Sequence, residues 1–121
     1  MLSKERVLEA PVYLHLGATD MRCGFDRLAA KVQSELSRSV LQGGLYVFLS
    51  RCRSRVKILY WDRDGYALWH KRLEAGTFRV ERTRDGYEEL TGVDLESLLS
   101  GMDISRIQLR KSAESGLFAA A

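Results

Sequence analysis

A chain of 121 residues with 45% hydrophobic and 29% charged side chains has the size and composition of one soluble globular domain that closes its core without staples. Its net charge of +3 leans toward an anionic partner but is far from histone-like basicity. Cys23 and Cys52 are the two cysteines; with no CxxC and no Cys/His ligand spacing, a zinc site is disfavoured and both read as reduced thiols. The charged start MLSKERVLEAP has no apolar stretch of the kind a signal peptide needs, and no apolar run is long enough to cross a bilayer, so the expected location is the cytoplasm.

Residues 1–11 read as a loose lead ending at Pro11, which suits the start of a strand. Val12, Leu14 and Leu16 alternate on one face of a short strand. Gly17 to Asp20 breaks that pattern, and Thr19 or Asp20 is expected to cap the helix that follows. Phe25, Leu28, Ala29, Val32 and Leu36 fall at helical spacing and predict one buried stripe. Gly24, at or just before the first turn, suits a close backbone approach. Gly43-Gly44 belongs to a loop, and Leu45 to Ser50 is a strand by composition.

The stretch Arg51 to Arg72 holds seven Lys and Arg against two Asp, a local +5 that leaves −2 for the rest of the chain. Arg51 to Ser54 is a polar turn. Val56, Ile58 and Tyr60 alternate with Lys57, Leu59 and Trp61. Asp62-Arg63-Asp64-Gly65 closes a hairpin in which Gly65 can take a positive φ. In the next strand, Tyr66 to Leu73, Ala67, Trp69 and Lys71 share one face while Tyr66, Leu68, His70 and Arg72 share the other. Thr77 to Thr83 is read as a fourth hairpin strand and Tyr87 to Thr91 as a fifth. Asp94 opens a short helix lined by Leu95, Leu98, Leu99 and Met102 and stopped by Gly101. Residues 12–109 then form one domain and 110–121 a frayed tail. The expected fold is α+β: an antiparallel sheet of consecutive hairpin strands packed on one long helix, with a short C-terminal helix and the other sheet face open.

A local basic patch beside aromatics is the electrostatic footprint of a nucleic-acid contact. Arg51, Arg53, Arg55, Lys57, Lys71 and Arg72 are the candidate phosphate contacts, set against the plain reading of a solvated, charge-rich turn. Trp69 is the candidate stacking platform, set against a place in the sheet core. Arg22 opposes the dipole at a helix start; it either pairs with Asp26 or meets DNA. Asp62 and Asp64 read as an ordinary hairpin loop rather than a metal site, and His15 and His70 lack a partner at local spacing, so catalysis is not expected.

Several of these residues fall into a known pattern. Thr19-Asp20-Met21-Arg22-Cys23-Gly24-Phe25-Asp26-Arg27-Leu28 resembles the signature T-D-M-R-x-G-F-D-x-L of the small accessory protein (TnpB) encoded by the second open reading frame of IS-sixty-six-type insertion sequences. Val47-Phe48, Arg51, Arg53, Lys57, Leu59, Trp61-Asp62, Gly65, Lys71-Arg72-Leu73-Glu74, Gly76 and Phe78 match further family positions, as do Leu98-Leu99, Gly101 and Met102-Asp103. The chain departs at Cys23, where the family commonly has Lys. The resemblance, from about Val12 to Ile104, implies an accessory protein of transposition encoded beside a transposase, with no established reaction; together with the residue readings above, the expectation is a non-enzymatic factor with no metal or cofactor. The expected partners are DNA at the element ends and the transposase of the same element, with no membrane. The alternative is a protein-interaction module that docks the transposase or another copy of itself without binding DNA.

Overall fold

Val12, Leu14 and Leu16 are all buried, as their alternation requires, but so are the five consecutive residues Leu45 to Leu49. A strand buried on both faces needs a layer on each side of its sheet. The computed structural model, which describes residues 2–80 and 86–100, supplies both layers. Helix α1 (Lys4–Glu9) precedes strand β1 (Val12–Ala18), helix α2 (Phe25–Leu36) and a 3-10 turn (Val40–Gln42). Strands β2 (Leu45–Leu49), β3 (Arg55–Asp62), β4 (Gly65–Arg72) and β5 (Tyr87–Leu90) follow, then helix α3 (Gly92–Leu99).

The five strands form one sheet in the order β4-β3-β2-β1-β5. The hairpins β2–β3 and β3–β4 are antiparallel, as their turns dictate. The sheet is mixed rather than antiparallel throughout, because β1 and β2 run parallel. A parallel pair needs a long crossover, and α2 lies in that connection. Strand β5 pairs with β1, Val12 opposite Leu90, at the far edge from β4. Thr77 to Val80 does not continue the run of hairpin strands. Phe78 and Val80 instead bury their side chains in the core, and the Phe78 N–H donates to the Arg53 carbonyl at 2.7 Å. The remainder of that expected strand, Gly101, Met102 and the tail lie outside the described residues.

Helix α2 covers one sheet face, setting Leu28 and Val32 on Tyr46, Phe48 and Leu59. Its stripe is narrower than the periodicity suggests. Phe25, the first helical residue, is 46% exposed, and Leu36 is only half-buried. The cap also differs. Gly24 is the N-cap in extended conformation with no side-chain hydrogen bond, and a Cβ there would meet nothing within 4 Å, so no close approach requires this glycine. The Asp20 carboxylate accepts from the Arg22 N–H at 2.9 Å and so closes a turn ahead of the helix.

The other face is not open. Val7 of α1 and Leu95 and Leu98 of α3 pack there against Leu14, Val47, Ile58 and Phe78. The expected loose lead is thus a helix, capped by the Ser3 hydroxyl, which accepts from the Arg6 N–H. A Cβ at Gly92 would come within 2.2 Å of the Val7 carbonyl oxygen, so the start of α3 must be glycine for α1 to lie on it. Asp94 is the third residue of α3, not its first. It forms a reciprocal capping box with Thr91, satisfying two orphan donors of the first turn. Arg6 reaches across to Asp62 (3.1 Å) and the Trp61 carbonyl, tying α1 to the tip of the β3–β4 hairpin. In that tip the positive φ belongs to Arg63 (57°), and Gly65 opens β4 opposite Asp62.

Because Leu28 is fully buried and Phe25 is not, their truncations separate. Leu28→Ala is expected to lower unfolding free energy by about 2–5 kcal/mol, whereas Phe25→Ala stays within about 0.5 kcal/mol. Urea unfolding measures both, and equal losses would place Phe25 in the core.

Candidate nucleic-acid interface

The β3–β4 register sorts the basic residues. Arg55 lies opposite Arg72, Val56 opposite Lys71, Lys57 opposite His70 and Ile58 opposite Trp69. Side chains alternate along each strand. Arg55, Lys57, His70 and Arg72 therefore share the α2 side, and Trp69 and Lys71 share the side of α1 and α3. The basic residues of the hairpin are thus divided between two faces, with Lys71 and Arg72 on opposite sides as their alternation predicts.

Four of the eight candidates are internal ties. Lys57 is 8% exposed, and its ammonium donates to the carbonyls of Met21 (2.7 Å) and Cys23 (2.9 Å). It pins the segment leading into α2 onto the sheet. Lys71 donates to the Leu99 carbonyl at 2.9 Å, at the end of α3 where the helix dipole favours a cation. Trp69 is half-buried and packs on the core beneath α3. Arg53 sits at φ 60°, and its guanidinium donates to the Val80 carbonyl at 2.7 Å. With the Phe78 contact, it fastens the chain after β4 to the β2–β3 turn.

Arg22, Arg51, Arg55 and Arg72 are exposed. Arg51, Arg55 and Arg72 line an open depression of about 550 Å³ with Thr19, Asp20, Met21, Ser50, Cys52 and Ser54. It lies where the chain leaves the carboxyl ends of the parallel strands β1 and β2. The Thr19 N–H donates to the Leu49 carbonyl at 2.8 Å, which draws the two strand ends together. Arg22 stands at the rim with its side chain 90% exposed and forks onto Asp20, at 2.7 Å for the shortest contact. Its acidic partner is thus Asp20 and not Asp26. Hydrogen bonds from the Arg22 side chain and N–H hold the Asp20 carboxyl far below the usual carboxylate range. Arg72 meets Glu74 at 3.1 Å. Among the described residues neither Arg51 nor Arg55 forms an ion pair. Burial, and then the charges of Lys57, Arg55 and Arg72, lower the pKa of His70, so the imidazole registers a positive field on this face.

The depression contains residues that sequence reasoning passed over. Cys52 is exposed, and its sulfur lies 3.0 Å from the Ser54 hydroxyl and 3.6 Å from that of Ser50. Hydrogen bonds from Ser54, then from Ser50, bring its pKa to about 7. The spaced serines of Ser50-Arg51-Cys52-Arg53-Ser54 were the available signal. His15 also gains a partner the local sequence hides. Its Nε2 lies 3.2 Å from Glu35 of α2, which in turn meets Lys31 at 3.0 Å. Its Nδ1 lies 2.9 Å from the Gly17 carbonyl oxygen. Asp62 is held by Arg6. Among the described residues no group of three or more His, Cys, Asp or Glu could hold a metal, and no helix is long and apolar enough to cross a membrane.

Two measurements follow from these ties. Lys57→Met strands two carbonyls and is expected to cost about 1–3 kcal/mol in urea unfolding, a loss that a surface lysine would not give. His15 is buried and its pKa is lowered chiefly by desolvation. The unfolded chain, titrating near 6.5, then binds its proton more readily than the folded one. Stability contributed by neutral His15 is present above that value and falls as pH drops below it. Thermal melts across this window should show the fall, and His15→Gln should reduce it.

A family model described as IS66 Orf2 like protein matches residues 10–109. Two proteins of Sinorhizobium fredii (strain NBRC 101917 / NGR234) are similar. "Uncharacterized protein y4hO" is 40% identical over 92 residues, covering 76% of this chain and 80% of the relative. "Uncharacterized protein y4jC" is 32% identical over 89 residues, covering 74% and 76%. No solved structure matches. The chain belongs to the IS66 Orf2-like family of insertion-sequence accessory proteins, which are generally without known catalytic activity.

Proposed function

We propose that this protein assists transposition in the cytoplasm by binding DNA at the element ends through the depression of Arg51, Arg55 and Arg72, with Arg22 at its rim, and so helps assemble the transposase there. The observation behind this reading is the direct cross-strand pairing of Arg55 with Arg72. Like charges opposite one another weaken a strand pair. A phosphate placed between them relieves that cost, because each guanidinium offers a planar fork of donors to its oxygens. Arg51 on the adjoining turn adds a third donor. Lys57 and Arg53 act from beneath by fixing the segments that shape the depression, while Lys71 and Trp69 hold the opposite face against α3. Bound this way, DNA is held by its backbone, so affinity depends little on base sequence. No metal or cofactor enters the reading.

A second reading is favoured by Phe25 and Leu41, large apolar side chains 46% and 54% exposed. In it the protein docks the transposase directly, and its arginines complement an acidic surface.

Fluorescence anisotropy with element-end DNA and a scrambled duplex separates the two. Three phosphate contacts release counterions so that log affinity falls against log salt with a slope of about −3. Arg55→Ala should weaken both duplexes alike and reduce that slope by about one. Absence of affinity for any duplex or single strand at low salt, with co-purification of transposase, would replace the DNA reading by the docking one.

A further inference from the structure

The two edges of the sheet are built differently. Strand β5 has four residues, two of them the charged Glu88 and Glu89. Such a short, acidic strand resists edge pairing. Strand β4 has eight residues, GYALWHKR, with Tyr66 to Trp69 uncharged and only half-buried. It has no proline, and its register with β3 runs unbroken from Asp62–Gly65 to Arg55–Arg72. Among the described residues no strand pairs with its outer side. The chain leaving β4 turns under the sheet, where Phe78 and Val80 are buried, and none of the described residues after them lies along this edge as a strand.

The outward groups can be assigned. Leu73 donates its N–H to the Ser54 carbonyl at 2.7 Å. In an antiparallel ladder the bonded positions alternate, so Gly65, Ala67, Trp69 and Lys71 also face β3. Tyr66, Leu68, His70 and Arg72 turn their N–H and C=O groups outward.

We propose that a second copy of this chain pairs antiparallel with the outer edge of β4, joining the two sheets into one across a two-fold axis. The occupant is argued from charge. In an antiparallel self-pair the acidic turn of one copy meets the basic end of the other. A register centred on Leu68 sets Tyr66 opposite His70 and Asp64 opposite Arg72 of the second copy. Shifting it by one bonded step sets Asp64 opposite Glu74 in one direction and opposite His70 in the other, and either loses the Asp64–Arg72 match, so the charges select a register as well as a partner. An isologous contact of this kind uses the same strand twice and closes on itself.

Sedimentation velocity over a wide concentration range tests this without DNA. The full-length protein should show a monomer–dimer equilibrium. Asp64→Arg and Arg72→Asp should each weaken it about tenfold, since two such pairs form per dimer, and the double swap should restore it. His70→Pro should yield a monomer with an unchanged circular dichroism spectrum, because the lost N–H points away from β3. Should that variant unfold, the charge swaps decide, as both lie on the exposed surface. Arg51→Ala, in the depression but off the strand, should dimerise as the natural chain does. A monomer at every concentration, or a dimer indifferent to the swaps, would overturn the proposal.

Discussion

Burial of β2 on both faces is the constraint on which the other features depend. Leu45, Val47 and Leu49 point to one side, and Tyr46 and Phe48 to the other, all with no exposed surface. Each side needs its own apolar cover, since burial of this kind is the main stabilising contribution to the fold. Helix α2 provides one cover, and the pair α1 and α3 provides the other. Neither short helix would hold on its own. They are held because Val7, Leu95 and Leu98 fill the face and Gly92 lets their backbones touch.

A three-layer molecule of this size has many segments to fasten and few residues for the purpose. Long cationic side chains do much of the fastening. Lys57, Lys71, Arg53 and Arg6 each reach a backbone carbonyl of another segment. Carbonyls near chain ends and helix ends are the groups most in need of donors, and a flexible stem with several N–H groups finds them readily. Part of the basicity concentrated between Arg51 and Arg72 is thus explained by architecture. Of what remains exposed, Arg51, Arg55 and Arg72 are gathered at one end of the sheet by the turn after β2 and the hairpin register, while Arg63 stands at the hairpin tip.

That end is also where β1 and β2 stop side by side. Parallel neighbours end at the same level, and the loops that leave them diverge, so a crevice opens beyond their carboxyl ends. Here the crevice is walled by Asp20 and Met21 on one side and by the Ser50–Arg55 turn on the other. Lys57 bonds the floor of the first wall, and Arg53 anchors the second. The residues that shape the depression and those that face solvent in it thus alternate along the same short stretch of chain.

By itself the sequence determined the strands β1 to β4, the helix α2, the place of the β3–β4 hairpin and the α+β class, because each rests on local periodicity, composition or a turn residue; the positive φ of that turn falls on Arg63 and not on Gly65. It also contained the family signature from Thr19 to Leu28. The tertiary structure alone decided the parallel pairing of β1 with β2, the place of β5 beside β1, and the helix in the lead. Val7 is the one buried side chain of α1, with Leu2 and Ala10 only partly covered beside it in a charged stretch, too weak a signal until a sheet face lies beneath it. The site was legible as a list of basic residues but not as a surface. Alternation along β3 and β4 implies that neighbours point apart, yet which side faces solvent depends on what packs there. Lys57 and Arg55 are two residues apart on one face, and one is buried only because the segment carrying Met21 and Cys23 folds over it. Contacts of that kind join positions far apart in the chain, and no local pattern encodes them.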